Sequence, residues 1–531
     1  MKELANLLNN IEYRTFGNQI EGIKITAVTA DSRMVRGGTL FVAVAGLTVD
    51  GHEFVQDAVD KGCVAVVVQR GLSGSFSGRV CVIEVADSSQ VLGELAAAFF
   101  DYPARRMQMI GITGTNGKTT STYLLETLVK TAGGEPGIIG TVNYRYGAVE
   151  YEAPHTTPEP VALQKLLREM ADHGVTHVVM EVSSHALKQK RINGLLFDVA
   201  LFTNLSRDHL DFHGDMIDYF SAKKKLFSHY LKDKGVSVVV LSGGEEEGES
   251  SWGEQLLQEL LEDRNEKLII SCGIKNGQVH GRNFHFSLAG TGCEVVTPAG
   301  NFQLQSELVG EFNLRNLLGV SGVGIALGFS PKTIAQSFSQ AGAIPGRLER
   351  IQPSGSLPLQ DIAVFVDYAH TPDALENVLA TLRNLQTGRL IVVFGCGGDR
   401  DQGKRPEMGE IAGRLADVVL LTSDNPRSED PDKILTDIEE GLRRISFPNR
   451  EHASLLRSQK ERGYDVIVSR HKAIMVAIRN GQPGDVVLIS GKGHEQYQIT
   501  SAGKIFFDDR QQAREQLDVR FHQHSICARS G

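Results

Sequence analysis

The segment Met107–Thr120, MQMIGITGTNGKTT, decides the fold that the sequence predicts. Its apolar first half, Met107–Ile112, has the composition of a buried strand, and a helical pattern over Lys118–Thr131 follows the glycine- and threonine-rich turn. A strand, a glycine loop and a helix in this order open a nucleotide-binding domain, because loop amides and the helix N-terminus attract phosphate oxygens. The segment therefore predicts an α/β domain that binds ATP or GTP.

The loop at the centre of this segment carries groups suited to nucleotide phosphates. Lys118 would neutralise charge on the β- and γ-phosphates, and Thr119 would hold Mg²⁺. Ile112 stands where a strict Walker A motif has its first glycine, so only the Gly-Lys-Thr core of that motif is present. The residues expected to bind ATP here are Gly114, Thr115, Asn116, Gly117, Lys118, Thr119 and Thr120.

Strand and helix patterns alternate along most of the chain, which predicts mostly parallel, doubly wound sheets. The predicted strands are Thr39–Val44, Cys63–Val68, His177–Val182, Val199–Thr203, Val236–Leu241, Ile362–Asp367, Arg389–Gly395, Asp417–Thr422 and Asp485–Ser490. The predicted helices, besides Lys118–Thr131, are Gly51–Lys61, Val161–His173 and Met216–Leu231. The polar, acidic segment Ser242–Ser251 predicts an exposed loop, and a boundary is expected near Ala341–Gly346. Three domains follow, over residues 1–105, 106–343 and 344–531.

Composition excludes several classes of protein. The 531 residues carry a formal charge of −9 without a long run of Lys or Arg, which argues against nucleic acid as a partner. The sequence contains neither a signal peptide nor a stretch of the roughly 18 apolar residues that a membrane span needs. Six cysteines without CxxC spacing disfavour a disulfide framework and a thiolate zinc site. We therefore expect a cytoplasmic protein that does not bind a membrane.

Two more strand ends carry groups for metal and phosphate. Glu181 ends the apolar strand of the segment HVVMEVSSH, residues 177–185, where a carboxylate can reach a nucleotide-bound metal. The segment Thr203–Gly214, TNLSRDHLDFHG, places two histidines and two aspartates after another strand. This density predicts a Mg²⁺ ligand and phosphate-facing donors, with His209 among them.

The segments Gly114–Thr120, Glu181–His185 and Thr203–Asp211 together resemble the Mur ligases, which build the peptide stem of peptidoglycan. The resemblance runs through all three expected domains. It implies a small α/β N-terminal domain that binds the UDP-MurNAc substrate and a central, doubly wound, P-loop-type and mostly parallel sheet that binds ATP and Mg²⁺. It also implies a Rossmann-like C-terminal domain that binds the amino acid.

The last third of the chain resembles the branch of this family that extends UDP-N-acetylmuramoyl-L-alanyl-D-glutamate by a third amino acid. The resemblance rests on Gly346-Arg347, Asp367–Asp373, Gly395–Pro406 and, most selectively, Asp424–Arg427, which reads DNPR. Family members with this motif take meso-2,6-diaminopimelate, whereas members that add lysine differ at its Asn and Arg positions. An Arg fork can bind the second carboxylate of diaminopimelate through two charge-assisted hydrogen bonds, so Arg427 is a plausible selector. The diaminopimelate site implied by the resemblance comprises Arg400, Asp424, Asn425, Pro426, Arg427, Gly491 and Glu495.

The resemblance implies that ATP phosphorylates the γ-carboxylate of D-glutamate and that the amine of diaminopimelate attacks the resulting acyl phosphate. Two anions then approach each other, so Mg²⁺ and cations are needed between them. Lys118, Lys223 and His209 are the expected catalytic residues. The expected metal ligands are Thr119, Glu181, His209 and Lys223, the last as a CO₂-derived carbamate. The run Lys223–Lys225 leaves the position of the carbamate uncertain by one residue.

The resemblance also distributes the substrates over the chain. The nucleotide-sugar dipeptide would be bound by Ser32, His155, Thr156, Thr157, Ser183, Gln189 and Arg191, which are donors suited to diphosphate and peptide oxygens. Asn313, Arg347, Asp367 and His370 would lie near the adenine nucleotide. The expected partners are thus small-molecule substrates, and a monomer is expected.

Two other interpretations remain open. Within the ligases, the chain could add lysine or resemble folylpolyglutamate synthetase, although Asp424–Arg427 argues against lysine and the Ser32 domain against folate. From another class, it could be a nucleotide-dependent switch that hydrolyses ATP without an amino acid. Such a switch would have no need of the charged segment Gly491–Glu495.

Overall fold

The computed structural model describes residues 1–46, 49–71, 80–243, 252–263, 268–355, 361–386 and 388–529. These residues form two compact units, which are treated separately below. The first comprises Met1–Leu205, His209–Val279 and Gly319–Ile334, and the second comprises Ser206–Asp208, His280–Leu318 and Ala335–Gly531.

A five-stranded sheet occupies the start of the first unit. Its elements and their neighbours are β1 (Lys2–Glu3), α1 (Leu4–Leu7), β2 (Tyr13–Gly17), β3 (Lys24–Ile25), β4 (Ala27–Thr29), β5 (Thr39–Val42), α2 (Val55–Asp60), β6 (Ala65–Gln69), β7 (Cys81–Val85) and α3 (Ser88–Phe99). The strand order is β2-β7-β6-β5-β4, parallel except for β2 at the edge. The predicted helix Gly51–Lys61 is present in two parts, because Gly51–Phe54 is a 3₁₀ turn and only α2 is α-helical.

The rest of the first unit is built on a larger sheet. Its elements are β8 (Gln108–Thr113), α4 (Lys118–Thr131), β9 (Pro136–Ile139), β10 (Asn143–Tyr146), β11 (Val149–Glu152), α5 (Pro160–Asp172), β12 (His177–Glu181), α6 (Ser184–Lys188), β13 (Phe197–Phe202), α7 (Leu210–His213), α8 (Met216–Ser228), β14 (Leu231–Val240), α9 (Trp252–Glu262) and β15 (Leu268–Gly273). The order is β11-β10-β9-β12-β8-β13-β14-β15, with β10 and β11 as an antiparallel edge hairpin. The parallel strands β8 and β12 at the centre are buried and mostly apolar, as helices on both faces of a sheet require, and they end in the buried polar residues Thr113 and Glu181.

One predicted boundary in this sheet is wrong. The pattern over Met216–Leu231 predicts a helix, but α8 ends at Ser228 and Leu231 already belongs to β14. Leu231 pairs with Phe197 of β13, which is distant in sequence, so a tertiary contact decides the boundary that local periodicity could not. The predicted loop Ser242–Ser251 lies almost wholly outside the described residues.

The second unit contains an antiparallel meander and a six-stranded sheet. The elements from residue 279 onward are β16 (Val279–Ser287), β17 (Gly290–Val296), β18 (Phe302–Ser306), α10 (Glu311–Ala326), α11 (Pro331–Gln340), β19 (Glu349–Ile351), β20 (Ala363–Asp367), α12 (Pro372–Leu385), β21 (Leu390–Phe394), α13 (Lys404–Leu415), β22 (Val418–Leu421), α14 (Pro431–Arg444), α15 (His452–Arg457), β23 (Gly463–Val466), α16 (Arg470–Asn480), β24 (Val486–Ser490), β25 (Tyr497–Thr500), β26 (Gly503–Phe506) and α17 (Asp509–Arg529). The six-stranded order is β19-β20-β24-β21-β22-β23, and only β19 runs antiparallel to its neighbour. Four of these strands confirm predictions from the sequence: β20, β21, β22 and β24.

The fold is α/β with mostly parallel sheets, as the alternating pattern predicted. Apolar clusters cover both faces of the six-stranded sheet, so its strand ends, where polar residues follow, are the places left for chemistry. None of the helices within the described residues combines the length and the apolar character that crossing a bilayer requires.

Candidate functional site

The phosphate loop between β8 and α4 has the geometry of an anion cradle. The Lys118 ammonium donates to the carbonyl oxygens of Gly114 and Thr115, both at 2.8 Å, and so folds back over the loop. Gly117, with φ of 83°, places the loop at the N-terminus of α4, where backbone amides point outward. These features suit phosphate binding, because the positive end of the helix dipole attracts the negatively charged phosphate oxygens.

Residues after β13 hold this loop from the side. Thr203 Oγ1 donates to the Asn116 carbonyl oxygen at 2.6 Å, and Asn204 Oδ1 accepts from the Asn116 amide at 2.9 Å. Gly114 has φ of 151°, and a Cβ atom there would lie 1.9 Å from Thr203 Oγ1. Glycine is therefore required at residue 114 for two reasons, its backbone conformation and the close approach of Thr203.

A buried carboxylate stands beside the loop. Glu181, only 1% exposed, accepts from Thr119 Oγ1 at 3.2 Å and from Thr141 Oγ1 at 2.9 Å, and its other oxygen accepts from the Thr141 amide at 3.1 Å. Within the described residues, no three His, Cys, Asp or Glu side chains converge to hold a metal by themselves. The pair Thr119 and Glu181 nevertheless fits Mg²⁺, which commonly takes one or two protein oxygens and completes its shell with phosphate and water.

The structure distinguishes two of the three adjacent lysines on α8, Lys223 and Lys224. Lys223 is 1% exposed, and its ammonium donates to the Gly114 carbonyl oxygen at 2.8 Å and lies 4.5 Å from the centre of the Tyr219 ring. Lys224 instead forms an ion pair with Glu259 at 2.6 Å, on another side of the helix. Of these two lysines, it is Lys223 whose Nζ lies at the phosphate loop.

The predicted catalytic residue His209 lies in a cluster of rings at the start of α7. Its ring centre is 4.9 Å from that of His185 and 6.1 Å from that of Tyr219, in both cases edge to face. His209 has φ of 54°, so the backbone takes a left-handed conformation there and turns into α7. Tyr219 thus joins His209 to Lys223, and the tyrosine hydroxyl also hydrogen-bonds to Thr115 Oγ1 at 3.2 Å.

Most of the donors predicted for the nucleotide-sugar substrate lie together at the carboxyl end of β12. Thr157 Oγ1 donates to the Glu181 carbonyl oxygen at 2.9 Å and accepts from the Ser183 amide at 3.1 Å. Arg191 donates to the Thr157 carbonyl oxygen at 3.2 Å and to Gln189 Oε1 at 2.8 Å. The segment around residues 155–157 is therefore tied to the strand that carries the buried carboxylate.

The remaining members of that set are placed separately. Thr156 Oγ1 hydrogen-bonds to Thr141 Oγ1 at 3.1 Å, and His155 is exposed. Ser32 lies in a short 3₁₀ turn of the N-terminal sheet, and its carbonyl oxygen accepts from Lys61 Nζ at 3.2 Å.

In the second unit, the residues predicted near the nucleotide cluster at the end of β20. The Arg347 guanidinium lies 4.6 Å from the centre of the Tyr368 ring, and His370 Nδ1 hydrogen-bonds to the Tyr368 carbonyl oxygen at 2.8 Å. Asp367 accepts from the amides of Leu348 at 2.6 Å and Ala369 at 2.7 Å. Burial raises the pKa of this carboxyl group above its usual value despite these bonds.

Two further groups complete this picture. Burial lowers the pKa of His494 to about 3, so the imidazole facing the Tyr368 ring at 5.2 Å is neutral. Asn313 lies on α10, where its amide donates to the Val309 carbonyl oxygen at 2.9 Å. The bond ties the asparagine to the segment just before its helix.

A glycine-rich loop and the segment Asp424–Arg427 meet at the site predicted for diaminopimelate. A Cβ atom at Gly395 would lie 1.9 Å from the Thr422 carbonyl oxygen, and one at Gly398 would lie 1.9 Å from that of Pro426. Arg427 Nη1 donates to the Gly398 carbonyl oxygen at 2.6 Å, which fixes the guanidinium over the glycine-rich loop. The motifs Gly395–Pro406 and Asp424–Arg427, separate in sequence, thus form one surface. Arg400 is exposed at its edge.

The segment Gly491–Glu495 borders the same surface. Glu495 Oε2 accepts from Asn425 Nδ2 at 2.9 Å and from Lys492 Nζ at 3.2 Å. A Cβ atom at Gly491, where φ is 118°, would lie 2.6 Å from Asp424 Oδ2. Asp424, Asn425 and Glu495 are therefore neighbours, as the resemblance implied.

Sequence reasoning did not single out several residues that the structure places at these sites. Thr141 follows β9 and binds Glu181, but nothing in its local sequence distinguishes it. Lys492 lies inside the segment GKGHE, which follows a predicted buried strand. A charged residue at the end of such a strand was the sequence signal that could have identified it. Arg470 begins α16 and reaches Asp509, 39 residues further on.

These features define an α/β protein with the geometry of a phosphate loop beside a buried carboxylate. Residues 24–100 match the family described as "Mur ligase family, catalytic domain", residues 112–324 the "Mur ligase middle domain" and residues 346–493 the "Mur ligase, glutamate ligase domain". The chain belongs to the Mur ligase family.

Relatives extend over nearly the whole chain. UDP-N-acetylmuramoyl-L-alanyl-D-glutamate--2,6-diaminopimelate ligase from Geobacter metallireducens is 42% identical over 96% of this chain and 97% of its own. A solved structure of a ligase with the same name is 32% identical, covers 94% of this chain and 96% of its own, and has a TM-score of 0.67. The MurF ligase of Thermotoga maritima, solved in complex with ADP, shares the fold at 18% identity, 94% and 99% coverage and a TM-score of 0.57.

Proposed function

We propose that this protein is an ATP-dependent ligase that joins meso-2,6-diaminopimelate to the D-glutamate γ-carboxylate of UDP-N-acetylmuramoyl-L-alanyl-D-glutamate in peptidoglycan biosynthesis. The observation that carries the proposal is the surface where Arg427 is fixed by Gly398 while Asn425 hydrogen-bonds to Glu495. A guanidinium and carboxylates on one surface complement a ligand that bears both a carboxylate and an ammonium group.

ATP activates the acceptor carboxylate. The γ-carboxylate oxygen attacks the γ-phosphorus, ADP leaves, and the amine of diaminopimelate then attacks the acyl carbon and releases phosphate. Lys118, held over the loop by Gly114 and Thr115, supplies a cation for the phosphates. Thr119 and Glu181 would hold Mg²⁺, and that ion supplies charge neutralisation between the two anions. His209 is assigned a role in metal and phosphate binding.

Lys223 is the residue proposed to carry the carbamate. Condensation with CO₂ converts its ammonium into a carbamate anion with release of two protons. Burial of Lys223 beside the phosphate loop supports this choice over Lys224, whose ammonium is paired with Glu259. An unmodified ammonium at this position would repel the metal that the loop and Glu181 attract.

The nucleotide-sugar dipeptide is assigned to Ser32 and to the donor cluster at the end of β12. That cluster comprises His155, Thr156, Thr157, Ser183, Gln189 and Arg191. Its hydrogen bonds to Glu181 and Thr141 support the assignment, because they place substrate donors next to the proposed metal ligand.

The adenine nucleotide is further assigned to Asn313, Arg347, Asp367 and His370. The amino acid is assigned to Arg400, Asp424, Asn425, Pro426, Arg427, Gly491 and Glu495. Division of the chain at residues 105 and 343 is supported by the family matches, whose ranges lie on either side of these positions. We further propose a monomer that acts in the cytoplasm on small-molecule substrates.

Phosphate release with the purified protein, ATP, Mg²⁺ and UDP-N-acetylmuramoyl-L-alanyl-D-glutamate tests the proposal. Parallel reactions contain meso-diaminopimelate, L-lysine or no amino acid, and mass spectrometry identifies the product. Tripeptide formed only with diaminopimelate is the expected result. Preference for lysine would refute the assigned amino acid, and equal release in all three reactions would identify a nucleotide hydrolase instead.

A further inference from the structure

Lys492 is a fully buried cation next to the proposed amino-acid site. Its side chain is 0% exposed, and its ammonium donates to Asn425 Oδ1 at 3.0 Å and to Glu495 Oε2 at 3.2 Å. It also lies 5.7 Å from the centre of the Tyr497 ring. Burying a lysine ammonium costs free energy unless the charge is paired, and these contacts supply that pairing. A role for the lysine at the neighbouring site would explain why it is buried there.

The contacts of Lys492 form a closed triangle. Asn425 Nδ2 donates to the same Glu495 oxygen that Lys492 contacts, at 2.9 Å. Asn425 Oδ1, already bound to Lys492, also accepts from the Ile499 amide at 2.9 Å. Lys492 and the Ile499 amide, which face the side-chain oxygen, and Glu495, which faces the nitrogen, together fix which way the Asn425 amide points.

Arg470 is a second buried cation near this site, and it too faces carboxylates. Arg470 binds Asp509 through two hydrogen bonds, at 2.7 and 2.6 Å, while its Nη1 stays 3.8 Å from Asp424 Oδ2. Neither Arg470 Nη1 nor Asp424 Oδ2 has a hydrogen-bond partner within the described residues. Among these groups, three carboxylates, Asp424, Glu495 and Asp509, face two buried cations, Lys492 and Arg470, and Arg427 adds a further cation on the same surface.

We propose that Lys492 is a positioning residue for the amino-acid substrate: it helps to orient Asn425 and Glu495 and offsets part of the negative charge of the carboxylates there. Lys492 acts through these two side chains, since it is enclosed and does not face the ligand surface. The inference rests on the proposed function and extends it to a residue outside the predicted set.

The test compares Lys492→Met with the wild-type protein and with Lys472→Met, which removes an exposed lysine on α16 as a matched control. Initial rates are measured while meso-diaminopimelate, ATP and UDP-N-acetylmuramoyl-L-alanyl-D-glutamate are varied in turn. Loss of one hydrogen bond to a charged group predicts a rise of about 10- to 100-fold in KM for diaminopimelate. The KM values for ATP and for the nucleotide sugar should stay within about twofold, as should every constant of Lys472→Met.

KM does not depend on the fraction of folded enzyme, so partial unfolding cannot imitate this selective change. Lys492→Gln, which keeps a hydrogen-bond donor without the charge, is the second variant and should show a smaller rise. Equal changes in all three KM values, no change, or failure of both variants to fold would overturn the positioning role. An inactive wild-type protein would instead refute the proposed function itself.

Discussion

Replacing Arg427 with methionine is expected to remove most of the preference for diaminopimelate over lysine. In the described part of the chain the guanidinium makes one side-chain hydrogen bond, from Nη1 to the Gly398 carbonyl oxygen at 2.6 Å. Nε and Nη2 are thus the donors available for a carboxylate of the substrate. Methionine keeps the volume of the side-chain stem and removes only the fork, because both side chains are unbranched.

The magnitude follows from the bonds that are lost. Hydrogen bonds to charged groups contribute about 1.5–3 kcal/mol each, so two imperfectly additive bonds amount to about 3 kcal/mol and roughly 150-fold in kcat/KM for diaminopimelate. L-lysine should lose nothing, since it has no second carboxylate and no longer faces a guanidinium. Loss of the bond to Gly398 should lower the melting temperature by only about 2–4 °C.

The assay measures phosphate release and tripeptide mass with each amino acid for Arg427→Met and for Arg444→Met. Arg444 is a suitable control because its side chain is exposed on α14 and, in the described part of the chain, forms its ion pair with Glu440, one turn away. An unchanged ratio of kcat/KM between diaminopimelate and lysine in a folded Arg427→Met protein would refute Arg427 as the selector.

Three further outcomes are expected. Gly491→Ala should raise the KM for diaminopimelate and lower the melting temperature, because the new Cβ would lie 2.6 Å from Asp424 Oδ2 at a φ of 118°; an unchanged melting curve would contradict this. Arg389→Met should reduce the free energy of unfolding in urea by about 3–5 kcal/mol. This substitution leaves the buried Asp485 carboxylate, which lies 2.6 Å from Arg389 Nη2, without its charged partner. A decrease in the free energy of unfolding below about 1 kcal/mol would contradict the prediction. The pKa of His494 is lowered from 6.5 to about 3, so the unfolded chain binds one more proton between these values and stability falls as pH decreases through that range. Between pH 6.5 and 5 this amounts to about 2 kcal/mol, and His494→Gln should lose correspondingly less stability on acidification.

Local sequence predicted the parts of the fold that depend on local interactions. The apolar run before Gly114 and the helical pattern from Lys118 specify β8 and α4. Both patterns can be recognised within about a dozen residues, without knowledge of distant contacts. Four strands of the C-terminal sheet were predicted in the same way. The end of α8 was not, because Leu231 is drawn into β14 by its pairing with Phe197.

Tertiary structure alone decided which of the predicted polar residues act together. The sequence indicated Thr119 and Glu181 as candidate metal ligands, but their contact across 62 residues depends on β8 and β12 being adjacent parallel strands. The sequence left Lys223 and its neighbours open, and the structure brings Lys223 Nζ within 2.8 Å of Gly114, across 109 residues.

The residue types in each motif were therefore determined by the sequence, and with them the chemistry available to the protein: a phosphate loop, a buried acid and an Arg fork. Their convergence was determined by sheet order and close packing of glycine loops, which no local pattern encodes. Lys492 illustrates the difference. The sequence GKGHE shows that a lysine is present, but its enclosure between Asn425 and Glu495 exists only when Asp424–Arg427 and Gly491–Glu495 meet in the fold. Side chains far apart in sequence acquire a joint function only through the long-range contacts that bury them.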